Sequence, residues 1–231
     1  MKRLVPPALI ALMIAALVFI PSPKAEAQAG LVSSIMSRLE RNLQNLKTLS
    51  ADISMDKYNS QLRDSDKFYG TVKYIPVSGK SAFVRLEWTK PQNEILTVAN
   101  GGYMLYRPRL KQVIVGTTSS VRSQKDSDVL ALLNMSAAQL RSRFGELQDV
   151  RDETLWGGIS ATHFKATPKA GASYKYIEVW VDKEGMPVQT KMVEKNDDST
   201  TIRLTNVAQN RPIDKSEFEQ KLDSNVKKVK G

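Results

Sequence analysis

The chain has 231 residues, a formal net charge of +10, one histidine and no cysteine. Without cysteine there are no disulfides, no thiolate chemistry, no cysteine-ligated metal and no lipid-bearing cysteine of the bacterial lipoprotein kind. A single histidine, His163, rules out a histidine-rich metal site or a histidine relay, and its alternating setting in "SATHFKAT" reads as an ordinary strand.

The first thirty residues stand apart from the rest. Lys2 and Arg3 precede an unbroken apolar run from Leu9 to Ile20, closed by Pro21 and Pro23 and followed by "AEAQAG". This is the layout of a cleaved secretory signal peptide, with small-x-small sites ending at Ala27 and Ala29. The run is short for a membrane span, which needs about 20 apolar residues. The expected division is a leader over 1–27 and one domain over 28–231, located in the periplasm. Cleavage after Ala27 removes Lys2, Arg3, Lys24 and Glu26 and takes the net charge from +10 to +8. For an exported chain, such a surface suits acidic head groups or acidic proteins rather than nucleic acid, but apart from the tail "VKKVKG" the charges are dispersed, and a merely solvated basic surface accounts for most of them.

Leu31, Ile35, Leu39, Leu43 and Leu46 recur at helical spacing, widened by Val32 and Met36, which predicts an amphipathic helix over 30–48. The period then changes to two in "LSADISMDKY". Further strands are predicted at "KFYGTVKYI", "SAFVRLEW", "EILTV", "GYMLY" and "KQVIV". Asn100-Gly101 favours a tight hairpin turn. Arg107-Pro108-Arg109 marks a rigid corner, because proline cannot donate to a strand ladder. Two short helices are predicted over 127–143, with Asp126 and Ser127 as candidate caps of the first. Ser136 and Gln139 have capping-box spacing for the second. Strands resume at "ISATHFKAT", "YKYIEVWVD", "MPVQTKMVEK" and "STTIRLTNV", with turns at 183–185 and 196–198. One helical turn near 214–218 precedes a basic tail.

Consecutive strands favour an antiparallel sheet and a mainly β, α+β chain. Several strands are apolar on both faces: Ile177, Val179 and Val181 on one, Tyr176 and Trp180 on the other. Such a sheet needs two covers, and the first helix and the helix pair are available. Between sheet and helices there is either packed core or a cavity.

No Gly-x-Ser-x-Gly, Gly-x-x-x-x-Gly-Lys or His-Glu-x-x-His motif is present. Asp197-Asp198 and the pair Asp64 and Asp66 read as polar turns rather than acid/base dyads. The expectation is a protein that is not an enzyme, with no catalytic residues, metal or cofactor. Met36, Met55, Met104, Met135, Met186 and Met192 all fall in or beside apolar segments. Methionine suits adaptable apolar surfaces and core gaps alike.

In order and spacing, "YIP" at 74–76, "VRLEWTKP" at 84–91 and "LTVANGGYMLYRPRLKQV" at 96–113 resemble the periplasmic lipoprotein carrier family LolA. "FKATPKA", the run "IEVWVDKEGMPVQTKMVEKNDDSTTIRLTNV" and "PIDKSEFE" continue the likeness across nearly the whole mature chain. The resemblance implies an incomplete antiparallel β-barrel with a long N-terminal helix and a helical lid over an apolar cavity. It also implies acylated lipoproteins as cargo, received by a monomer from an inner-membrane ABC-type release complex and passed to an outer-membrane acceptor. A carrier of another lipid, a lipoprotein-sensing regulatory module and an envelope enzyme are the competing readings.

Mapped onto this sequence, the expected cavity residues are Leu86, Trp88, Leu96, Val98, Met104, Tyr106, Met186, Val188 and Met192. The lid residues are Val129, Leu132, Leu133 and Met135. Alternation alone does not choose which sheet face lines the cavity. The family's lid-latching arginine has no counterpart here, since Ile75 precedes Pro76. Arg85, which matches another arginine of the family, is the candidate latch.

Overall fold

The switch of hydrophobic period at Leu49 is also the switch of structure. The computed structural model describes residues 23–77, 82–118, 124–169 and 171–231. Helix α1 (Pro23–Asn45) begins earlier and ends sooner than its periodicity predicts. It stops because the chain is captured beyond it: the Lys47 amide donates to Asn210 Oδ1 at 2.7 Å and the Thr48 hydroxyl to the Arg211 carbonyl at 2.6 Å. Its buried stripe is Ile35, Met36, Leu39 and Asn42, with Leu46 buried just beyond its end, while Leu31 is exposed. Asn42 takes an inward position because its amide donates to the Glu184 carbonyl and to Gln209 Oε1. Of the expected leader, residues 1–22 lie outside the described residues.

Strands β1 (Leu49–Asn59), β2 (Asp64–Ile75), β3 (Phe83–Lys90), β4 (Glu94–Ala99), β5 (Gly102–Arg107) and β6 (Gln112–Thr117) come first. Helices α2 (Gln124–Leu133) and α3 (Ala137–Arg143) interrupt them. Strands β7 (Gln148–Leu155), β8 (Ile159–Ala166), β9 (Tyr174–Asp182), β10 (Pro187–Glu194), β11 (Ser199–Gln209) and β12 (Lys227–Lys230) follow. All twelve form one sheet in the order β12-β6-β5-β4-β3-β2-β1-β11-β10-β9-β8-β7. Its edges do not meet, so the barrel is incomplete.

The turns follow the residue chemistry. Asn100 and Gly101 have positive φ (52° and 79°), as a tight hairpin requires. Pro108–Leu110 makes a 3-10 corner closed by the Lys111 amide on the Pro108 carbonyl. At Ser136 and Gln139 both halves of the capping box are made. Two strands escaped the sequence reading, and both are edges. β7 is largely exposed and shows no apolar alternation. β12 lies within the basic tail and pairs in parallel with β6. Charged edge strands resist pairing with other chains.

All three helices cover the same face, which corrects the expectation that they divide between the two. Ile35, Met36 and Leu39 of α1 pack with Leu140 of α3 and with Phe164, Val179 and Val181 of the sheet. Val129, Leu132 and Leu133 of α2 pack with Ile53, Val72, Leu86 and Trp88. The opposite face is covered differently. The 3-10 turn Lys215–Phe218 lies against β3 and β4, with Phe218 buried beside Phe83. Further along, Trp180 rests on His163 (ring centroids 4.8 Å apart) and Lys165 lies over Tyr176. The bulk that seemed to need a second helical layer is thus satisfied by polar and aromatic partners. His163 is buried in its strand, facing the Asp149 carbonyl through Nδ1 and Glu178 through Nε2.

The β9–β10 turn approaches α1 closely at Gly185, whose φ is +88° and whose position leaves no room for a Cβ beside the Arg38 carbonyl. Gly185→Ala should destabilise the fold by about 2 kcal/mol, from the left-handed conformation and the overlap together. Thermal unfolding should register this as a drop of roughly 4–8 °C; an unchanged midpoint would show that α1 is free to retreat.

Candidate functional site: a lidded apolar cavity

Strand register sorts the expected site residues by face. Gly70↔Trp88, Val72↔Leu86 and Tyr74↔Val84 pair across β2 and β3, and Leu86↔Leu96 and Val84↔Val98 across β3 and β4. The next pairs, Leu96↔Leu105 and Val98↔Tyr103, continue the same face onto β5. Leu86, Trp88, Leu96 and Val98 therefore share the helix-covered face. Met104 and Tyr106 do not: paired with Thr97 and Ile95, they stand on the outer face. In "GYMLY" both alternating sets are apolar, so the sequence offered no phase; the inward set is Tyr103 and Leu105.

Leu86, Trp88, Leu96, Val98, Val129, Leu133, Met186 and Val188 are all buried in one close-packed cluster. Open space lies beside it. A cavity of about 560 Å³ runs between α2, α3 and strands β9–β11, and Leu132, Met135 and Met192 from the expected set line it. Its other apolar walls are Ala131, Leu140, Phe144, Tyr174, Ile177 and Ile202. Ile177 belongs to the apolar face already legible in β9. Ile202 follows from register, because Thr190↔Ile202 and Met192↔Thr200 carry that face onto β11. Leu140 and Phe144 sit on or just after the short α3, whose burial its sequence alone did not reveal. Polar groups line it as well: Ser173, Thr190, Glu194 and Thr200 from the strands and their ends, Ser127 and Asp128 from α2, and Gln139 and Arg143 from α3. Burial pushes the Tyr174 phenol up.

The helices that roof the cavity are held in different ways. α3 is tied to the sheet by backbone. The Gly145 amide donates to the Thr167 carbonyl, the Lys169 amide to the Arg143 carbonyl, and Phe144 bridges Pro168. α2 is held by side chains at both ends. At its start the Trp88 indole N–H donates to Asp126 Oδ1 at 3.0 Å, with both residues fully buried. Lys125 Nζ lies 2.6 Å from Glu94 Oε2 and 4.9 Å above the Trp88 ring, and Arg107 meets the other Glu94 oxygen at 3.0 Å. At its end the Tyr74 hydroxyl donates to Asn134 Oδ1 at 2.9 Å. Burial pushes the Tyr74 phenol up, so it remains a donor.

These contacts correct two sequence expectations. Asp126 is not a helix cap; the helix starts earlier, at Gln124, and Asp126 faces Trp88. Arg85 does not reach the lid. It lies on the outer face with Glu87, and its guanidinium donates to the Glu217 and Glu219 carbonyls, fastening the C-terminal segment. The residues that clasp α2 were missed because their partners are distant in sequence and each has an innocent local reading: cap, strand aromatic or turn asparagine.

Among the described residues no cluster of histidine and carboxylate side chains is placed to hold a metal ion, and no helix is long and apolar enough to cross a membrane.

No curated protein matches the sequence. Among solved structures, an uncharacterized conserved protein from Thermus thermophilus is similar at 10% identity and a TM-score of 0.54, over 86% of this chain and 98% of that one. MucB of Pseudomonas aeruginosa, solved with MucA, is similar at 12% identity and a TM-score of 0.54; 86% of this chain corresponds to 63% of that one. The lipoprotein LppX of Mycobacterium tuberculosis is similar at 14% identity and a TM-score of 0.50, over 80% and 98% of the two chains. At such identities the likeness is one of fold. The family described as outer membrane lipoprotein carrier protein LolA matches residues 44–221, from the last turn of α1 past the 3-10 turn on the outer face. With its open twelve-stranded barrel, three helices on one face and a cavity beneath them, the chain belongs to the LolA family.

Proposed function

We propose that the protein is a periplasmic carrier that holds the acyl chains of lipoproteins in the cavity beneath α2 and α3. It receives them from an inner-membrane ABC-type release complex and delivers them to an outer-membrane acceptor. The observation that carries this reading is the cavity itself: about 560 Å³ of mostly apolar space, roofed by a helix whose ends are held by side chains. That volume lies within the range of about 300–1,000 Å³ of small-molecule sites. Each methylene moved from water into such a space gains about 0.8 kcal/mol, and binding of this kind involves no covalent step.

The roof explains how cargo enters and leaves. α3 is pinned through its backbone, whereas α2 is released when the Trp88–Asp126, Lys125–Glu94 and Tyr74–Asn134 contacts open. Its leucines then leave the sheet face, and the cavity extends over Leu86, Leu96 and Val98. The sites expected from sequence and the cavity seen beneath the closed lid become one surface. The α2 clasp takes the part of the missing family arginine at Ile75.

Native mass spectrometry of the protein isolated from its own cell envelope tests the reading. A co-purifying acylated lipoprotein supports it, whereas a free lipid as the sole occupant assigns the cavity to another cargo. Filling the cavity should abolish uptake. Met192→Trp and Ile202→Trp should each weaken displacement of a fluorescent fatty acid at least about tenfold while leaving the circular dichroism spectrum intact; full binding in both variants would place the cargo elsewhere. Opening the clasp should act on dynamics first. Tyr74→Phe or Asn134→Ala removes a hydrogen bond worth about 1 kcal/mol, so amide exchange over 124–133 should quicken roughly fivefold with β1–β5 unaffected. Equal exchange in wild type and variants would show that this bond does not hold the lid.

A further inference from the structure

Among the turns that strand register places at one end of the sheet are 60–63 between β1 and β2, 91–93 between β3 and β4, 108–111 between β5 and β6, and 195–198 between β10 and β11. Two of them present leucines to solvent, Leu62 at 76% exposure and Leu110 at 55%. An exposed leucine alone means little, but these two share a rim. Strands are spaced about 4.8 Å apart, so the two tips stand roughly 20 Å from one another along it.

The charges of this rim are unequal. At the β1–β2 tip, exposed Arg63 and Lys67 are offset by Asp64 and Asp66. At the adjacent β10–β11 turn, Asp197 pairs with Lys175, Asp198 accepts from Ser60, and exposed Lys195 is offset by its neighbour Glu194. The β5–β6 corner is different. Arg109, Leu110 and Lys111 are consecutive and exposed, and the Lys227 amide donates to the Lys111 carbonyl, which brings Lys227 and Lys228 of β12 alongside. Asp223 precedes them in the turn into β12, and exposed Lys90 ends β3 on the same rim. Among the described residues none of Arg109, Lys111, Lys227 and Lys228 makes an ion pair. Pro108 and the left-handed Lys111 (φ 45°) hold the corner in shape. The cavity reaches this same end of the sheet through Ser173, Tyr174 and Glu194.

We propose that this rim docks on an anionic phospholipid surface. Arg109, Lys111, Lys227 and Lys228 face the head groups, while Leu110 and Leu62 enter the interface, which turns the open end of the cavity toward the bilayer. The purpose of such docking rests on the carrier reading above; its chemistry does not. A basic cluster gains from the negative potential of an anionic leaflet, falling off within a screening length of about 8 Å at physiological salt. The exposed leucines on the same rim add a contact that salt does not screen.

Co-sedimentation with phosphatidylcholine vesicles, with and without phosphatidylglycerol, tests the proposal. The protein should bind the phosphatidylglycerol vesicles and release from them as salt rises. Reversal of both Arg109→Glu and Lys111→Glu should weaken binding at least about 25-fold, at roughly fivefold per positive charge removed. Leu110→Asn and Leu62→Asn should each weaken it about tenfold. Reversing two exposed charges elsewhere, Arg41→Glu on α1 with Lys183→Glu in the β9–β10 turn at the far end, should have far less effect. No binding to the anionic vesicles, equal binding to neutral ones, or equal loss in the distal double variant would overturn the proposal. Fatty-acid displacement, measured on the same proteins, should be unchanged in every rim variant. If the wild type takes no fatty acid yet still binds the vesicles, the carrier reading fails and the docking rim stands.

Discussion

A single sheet of twelve strands presents a long apolar face that it cannot cover by closing on itself, because its edge strands β7 and β12 do not meet. Everything else in the molecule answers that constraint. α1 answers it by close approach, with Ile35 and Leu39 buried and the Gly185 turn against its backbone. α2 answers it with leucines held in place by polar contacts at its two ends. α3 is only seven residues long, too short to fill the space beneath it. The cavity is what remains when short helices roof a wide sheet. The sheet keeps its own ladder hydrogen bonds whether or not α2 is present, so the lid can move without unpairing strands.

Much of this was legible in the chain. The element order, the hairpin at Asn100-Gly101, the corner at Pro108 and the capping box at Ser136 each rest on local chemistry, and each appears where that chemistry places it. Local chemistry fails where a property belongs to the sheet as a whole. β7 and β12 lack alternation because edge strands bury little. Met104 and Tyr106 face outward because register across β4 and β6, not their own apolarity, sets the phase. Arg85 is a different case: alternation in "VRLEW" sets it on the face opposite Leu86 and Trp88, so a latch there conflicted with the cavity face expected on the same strand. The cavity was hardest to read, since its walls combine a helix pair with the far strands β9–β11, and empty space leaves no residue pattern.

If the cavity takes an acyl chain, as we propose, the closed lid and that chain compete for the same surface, and the magnitudes show why their exchange is reversible. Burying a leucine is worth about 1.5–3 kcal/mol, so withdrawing Val129, Leu132 and Leu133 from the sheet would be costly in water. An acyl chain entering as they leave restores that contact methylene by methylene, at about 0.8 kcal/mol each. Only the difference between the two is left to determine affinity. The polar clasp adds a few kcal/mol in favour of closure, since each of its hydrogen bonds contributes about 0.5–1.5 kcal/mol. Had α2 been pinned through its backbone as α3 is, the roof would open only at the cost of strand and loop structure. Had it been held by leucines alone, an empty molecule would expose its apolar face whenever the helix shifted. For the carrier we propose, a lid that trades apolar contact with its cargo, and is returned to place by a few directional bonds, would allow both secure holding and release.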